Sequence, residues 1–140
     1  NHKNILNNYE NSYYILDIPS ISLKLLIETD ISLYNPWFWK YSSMPNENGK
    51  VVISGHSFTY SNPLYSPLID LDYLEIGDEI YIEDNNRRYK YIVDNIVIVL
   101  PNNFDLTSYN YDLFLYTCYP KYISTHRLVI LSNLVSIDEL

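Results

Sequence analysis

The chain has 140 residues, enough for one domain with a single core, and its 47% hydrophobic and 19% charged composition is that of a globular protein. A net charge of -8, with Lys and Arg scattered apart from Arg87-Arg88, leaves no basic stripe for phosphates and argues against a nucleic-acid partner. A single cysteine excludes an internal disulfide and any multi-cysteine metal site, and no segment is long and apolar enough to span a membrane.

Residues 1–12 are polar and Asn-rich and read as a frayed segment. Tyr13 to Ile18 is expected as a strand stopped by Pro19, and Leu23 to Ile27 as a second. From Thr29 to Asn48 the pattern breaks at Pro36, Pro45, Asn46 and Asn48, with Gly49 after them. This reads as a long loop whose Trp37-Phe38-Trp39 cluster plugs the core. Val51-Val52-Ile53 is a short buried strand. Ser54-Gly55 follows, a small pair that lets the backbone turn and present His56 at the strand end.

Residues 58–68 read as a loop with Pro63 and Pro67, and Pro67 to Leu71 as a helical turn. Glu75 to Asp78 is a turn, Glu79 to Glu83 alternates as a strand, and Asp84-Asn85-Asn86 makes a hairpin turn. Arg88 to Leu100 is a long β-rich run bent near Asp94-Asn95, and residues 101–112 are a polar loop. Leu113 to Cys118 and the run opening at Arg127 are strands, and Ser132 to Leu140 is a weak tail. Seven or eight strands and no long helix predict an all-β, closed or nearly closed barrel, an arrangement that removes exposed edges. The 16 tyrosines suit such pleated, half-buried surfaces. The expected organisation is one domain over residues 13–134, with 135–140 as its tail.

Side chains alternate along a strand. Leu113, Leu115 and Thr117 share one face; Phe114, Tyr116 and Cys118 share the other, which places Cys118 opposite the core, at the rim. In the last strand Arg127, Val129 and Leu131 share a face. Pairing of the two strands would set Arg127 beside Cys118 and point His126 away, so His56 is the preferred catalytic histidine. A free thiol titrates near pH ~8.5, so a nearby cation is needed to favour the nucleophilic thiolate. A histidine moves the protons and an arginine steadies the oxyanion or the substrate backbone. Against this stand plainer readings: Cys118 as a small buried apolar residue, Arg127 as a surface cation, His56 as a structural histidine.

These residues resemble the sortase family of cysteine transpeptidases. Leu115-Tyr116-Thr117-Cys118 is similar to the family's Thr-Leu-x-Thr-Cys, with Phe114 in place of the first Thr. Val52-Ile53-Ser54-Gly55-His56 resembles its histidine segment, preceded by a Ser42-Ser43-Met44-Pro45 lead-in. Leu16-Asp17-Ile18-Pro19-Ser20-Ile21 resembles its Ile-Pro-x-Ile opening. Leu74 with Gly77-Asp78-Glu79-Ile80 resembles Leu-x-x-Gly-Asp-x-Ile. His126-Arg127-Leu128-Val129 has the spacing of its arginine strand.

The resemblance covers roughly residues 13–134 and implies an eight-stranded sortase-type β-barrel. It implies an enzyme on the outer face of a Gram-positive-type cell, membrane-anchored by a segment upstream of Asn1. Such enzymes cleave a Leu-Pro-x-Thr-Gly-like sorting signal of surface proteins or pilins after Thr, through a thioacyl intermediate. They pass the acyl group to an amine of a cell-wall precursor or a pilin lysine. Carried over, Cys118 is the nucleophile, His56 the general acid/base and Arg127 the oxyanion or substrate stabiliser. Thr117, Ser57 and Tyr116 would contact substrate, and loop 101–112 would wall the peptide groove.

No cofactor is implied, although some sortases bind calcium through loop acids; here those would be Asp105 and Asp112, whose plainer reading is solvated acids. Asn35-Pro36-Trp37 resembles the lid of pilus sortases but follows the opening strands. The subclass stays open between pilus-type (class C), class D-like and small anchoring enzymes. Two other function classes remain: a secreted β-barrel binding module that kept the fold without the chemistry, and a thiol peptidase in which water resolves the thioester.

Overall fold

The computed structural model describes residues 13–57 and 66–140, so the frayed segment and most of the Pro63 loop lie outside the described residues. Eight strands are described: β1 (Tyr14–Ile18), β2 (Leu23–Ile27), β3 (Trp37–Phe38), β4 (Val51–Ser54), β5 (Glu79–Glu83), β6 (Arg87–Val99), β7 (Leu113–Tyr119) and β8 (His126–Glu139). They form one sheet in the order β2-β1-β5-β6-β8-β7-β4-β3. The two ends of that order meet. The Glu28 N–H donates to the Pro36 carbonyl at 2.8 Å and the Phe38 N–H to the Glu28 carbonyl at 2.9 Å, which closes the sheet into a barrel. Ladders are antiparallel except β4 on β7, which is parallel.

Alternation decides which side chains fill the barrel. Leu16, Ile53, Ile80, Ile82, Tyr89, Leu113, Leu115 and Ile130 are each 0% exposed and form one interior cluster. Each such burial contributes roughly 1.5–3 kcal/mol. A second apolar cluster lies outside the barrel wall: Val52, Phe114, Val129 and Leu131, covered by Phe104, Leu106, Tyr109 and Tyr111 from loop 101–112. That loop is therefore a packed layer. Asp105 caps its 3-10 turn (Leu106–Ser108), accepting from the Thr107 N–H at 3.0 Å and the Ser108 hydroxyl at 3.0 Å. The Lys50 ammonium donates to the Leu106 carbonyl at 3.0 Å and to the Tyr109 carbonyl, and sits 5.3 Å from the Phe114 ring centre.

Three local expectations change. Trp37–Phe38, expected inside a loop, is the barrel-closing strand; Phe38 alone plugs the core, edge-on to Tyr14 at 5.3 Å between ring centres. Ser132 to Leu140, expected as a weak tail, continues β8 to Glu139 and pairs back onto residues 87–93 of β6. Its half-exposed Val135 and Ile137 hide the strand signal, because the partner ladder rather than burial holds it. The bend expected near Asp94-Asn95 is a register shift between Val93 and Asn95, with another between Lys90 and Tyr91; such bulges let two long strands coil.

Arg88 ties three strands together: it pairs with Asp17 of β1 at 3.3 Å and Glu83 of β5, and stacks 3.7 Å from the Tyr81 ring centre. Gly55 is present for room rather than for a left-handed turn. A Cβ there would sit 2.6 Å from Leu68 Cδ1 and 2.7 Å from its Cγ, and Leu68 is itself 0% exposed. Gly55→Ala is expected to cost about 1–3 kcal/mol of stability, read as a lower urea midpoint at unchanged slope.

Candidate active site

Register builds the site. On the outer face of the barrel, Trp37 of β3 pairs with Ser54 of β4, Ser54 with Tyr116 of β7, and Tyr116 with Val129 of β8. Two residues further along, Cys118 pairs with Arg127, and Arg127 with Val99. β4 ends at Ser54, yet its direction is kept. The Gly55 N–H donates to the Tyr116 carbonyl at 3.2 Å, and the Thr117 hydroxyl donates to the Gly55 carbonyl at 2.8 Å. His56, two residues past Ser54, is thereby carried level with Cys118, two residues past Tyr116. The Leu68 N–H fixes it from the other side by donating to the His56 carbonyl at 2.9 Å. Neighbouring strands lie ~4.8 Å apart. Extended by two residues, the β4–β7 register sets Cys118 mid-row, with His56 on one side and its paired Arg127 on the other.

The thiol is free and half-buried. Arg127 donates to the Ser124 carbonyl at 3.1 Å and the His126 carbonyl at 2.8 Å, which anchors its head at the start of β8. Burial pushes the Tyr116 phenol up; the charge of Arg127, which hydrogen-bonds it, works the other way, and that of Cys118 adds to the rise. The phenol is therefore within electrostatic reach of both the thiol and the guanidinium. His126 is on the opposite face, paired to Tyr119, with Nδ1 2.9 Å from the Thr125 hydroxyl.

The substrate-contact expectations divide. Tyr116 lines an open cleft of about 240 Å3 together with Trp39, Ser54, Pro101, Phe104 and Leu106. Thr117 does not line it: its side chain is 3% exposed, faces the barrel interior and is used on Gly55. Ser57 is also 3% exposed, in a narrow seam that it lines together with Leu68, Asp72 and Cys118. Thr117→Val is expected to cost about 1–3 kcal/mol, because it leaves a buried carbonyl unpaired, with little change in volume; urea unfolding reads it. Phe114, expected at the rim, is 0% exposed beneath Phe104, whose ring centre is 6.1 Å away. It fills the space between the barrel wall and the cleft's outer wall.

Both acids of the calcium expectation already serve as acceptors: Asp105 within its turn, and Asp112 from the Leu134 N–H at 2.7 Å. Among the described residues no group of three metal-type ligands comes together. Two further contributors carry no local sequence signal. The Trp37 ring lies 5.3 Å from the His56 ring, centre to centre. Lys121, three residues past the thiol, pairs with Asp72 at 3.2 Å and Asp70 at 3.5 Å and lies 4.1 Å from the Tyr73 ring centre. That cluster ties the β7–β8 loop to the segment whose Leu68 holds His56.

The family described as Sortase domain matches residues 16–135. The chain belongs to the sortase family. Sortase A of Bacillus anthracis is 26% identical over 125 residues, which are 86% of this chain and 58% of that protein. The chain thus spans less than two thirds of that curated sortase. Among solved sortases, a lid mutant of Sortase A from Corynebacterium diphtheriae matches with a TM-score of 0.77 at 30% identity, over 90% of this chain and 71% of that one. Sortase C of Streptococcus pneumoniae, whose structure is described for its catalysis and pilin substrate specificity, matches with a TM-score of 0.77 at 25% identity, over 91% and 70% of the two chains. The eight-stranded barrel described above is the sortase fold.

Proposed function

We propose that this sortase domain is a cysteine transpeptidase, with Cys118 as nucleophile, His56 as general acid/base and Arg127 as oxyanion or substrate stabiliser. The observation that carries the reading is the Cys118–Arg127 cross-strand pair; extending the β4–β7 register by two residues completes the row with His56. The Cys118 thiolate attacks the carbonyl carbon of Thr in a Leu-Pro-x-Thr-Gly-like sorting signal, giving a tetrahedral oxyanion steadied by Arg127. Collapse breaks the C–N bond; His56 gives its proton to the departing glycine amine and a thioester to Cys118 remains. An incoming amine, from a cell-wall precursor or a pilin lysine, loses its proton to His56, attacks the thioester and displaces the Cys118 thiolate, which restores the starting state.

The cleft from Trp39 to Tyr116 supports the placing of the signal: it is apolar, flanked by loop 101–112, and ends two residues from the thiol. On this reading the domain works at the outer face of the cell membrane, where sorting signals of surface proteins and pilins meet their acceptors.

The test is mass spectrometry of the domain incubated with a set of Leu-Pro-x-Thr-Gly-like peptides, with and without glycine or lysine amines. The expected result is an acyl adduct on Cys118 that becomes a new amide when amine is present. Release of the free acid alone, with amine present, would make the domain a thiol hydrolase. Absence of any adduct, with slow and pH-insensitive alkylation of Cys118, would make it a binding module.

A further inference from the structure

We propose that Trp37 is a positioning residue that holds the His56 imidazole in its working orientation beside Cys118. The proposal rests on the reading of His56 as the general acid/base. His56 lies beyond the last ladder residue of β4, so strand pairing fixes its backbone only through Gly55 and the Leu68 N–H. Trp37, by contrast, is tied on both sides. It pairs with Ser54 of β4, bridges Glu28 beyond β2, and is followed by the buried Phe38.

From that base the indole reaches its diagonal cross-strand neighbour, the residue two beyond Ser54, a distance that large side chains span. The rings meet at 5.3 Å between centres with a tilt of 54°. An indole has two side-chain torsions, so it offers a rigid wall at low entropic cost. At that tilt the indole walls one side of the imidazole and so limits its rotation. Each half-reaction passes through an imidazolium, a cation that an aromatic face tolerates well. The contact also couples barrel closure to the site, because the Trp37 backbone that closes β2 on β3 carries the side chain that orients the histidine.

The experiment compares Trp37→Leu with Trp37→Phe in peptide transfer, using whichever sorting-signal peptide forms the Cys118 adduct. Trp37→Leu is expected to lower kcat by about tenfold to a hundredfold with little change in KM, because a small misplacement of a proton-transfer group acts on chemistry rather than on peptide binding. Trp37→Phe, which keeps a ring wall, is expected to recover most of the loss. In the unaltered chain, proton NMR is expected to show the His56 ring protons displaced by the indole ring current relative to those of His126.

An unchanged kcat in a folded Trp37→Leu protein would overturn the proposal. So would His56 ring resonances without a ring-current displacement, a reading that stands even where Trp37→Leu does not fold. His56→Ala separates the two claims. Full activity in that variant removes the acid/base reading itself, whereas its loss together with an active Trp37→Leu removes only the role of Trp37.

Discussion

Cys118→Ala abolishes acyl transfer and leaves the barrel folded: that is the expected result with the largest effect. The thiol is half-buried on the outer face of β7, so its removal opens no interior cavity. Stability should shift by no more than about 1 kcal/mol in urea unfolding. Activity has no such tolerance. The chain holds one cysteine, and the thioester step needs a nucleophile in the row between His56 and Arg127. Cys118→Ser keeps a hydroxyl at the same place but loses the readily formed thiolate, and should be as inactive within assay limits. The measurement is the intact-mass adduct together with product amide. An adduct of undiminished yield in Cys118→Ala would place the nucleophile elsewhere and remove the assignment of the row.

Alternation made the pairing of Cys118 with Arg127 legible before any coordinates. With a period of two, Cys118 falls opposite Leu113 and Leu115 and Arg127 falls opposite His126; pairing through the short loop between β7 and β8 then brings Cys118 and Arg127 together. The same alternation placed Thr117 among the core residues, and its buried hydroxyl on Gly55 is what that placement predicts; the expectation of a substrate contact came from the resemblance instead. What alternation could not encode is how loops pack. Phe114 has the period of a rim residue, but loop 101–112 lies over it, and only tertiary packing turns that rim into a second core. Trp37–Phe38 is too short for any period to register. Its strand character comes from pairing with Ser54 and Ile53 and from the bridge to Glu28. Lys121 likewise reads as a loop cation until the fold brings Asp70 and Asp72 against it.

The second large effect separates the two neighbours of the thiol. Arg127→Ala is expected to lower kcat/KM by about a hundredfold to a thousandfold, the usual loss when one donor to an oxyanion is removed. The fold should tolerate it, since the carbonyls it leaves, Ser124 and His126, lie at the exposed start of β8 where water can replace the guanidinium. Arg127→Lys should recover little, because a point charge on a flexible stem lacks the planar fork. His56→Ala is expected to cost at least as much, since the departing amine would receive no proton and no base would take the proton of the acceptor amine. His126→Ala should change little, its ring being on the far face with Thr125. Iodoacetamide alkylation of Cys118 then tells what each neighbour does. If Arg127 acts on the oxyanion or the substrate, Arg127→Ala keeps the alkylation rate within a few-fold while transfer falls. A matching fall in both would make Arg127 the group that favours the thiolate, and near-normal transfer in Arg127→Ala would remove it from the mechanism altogether.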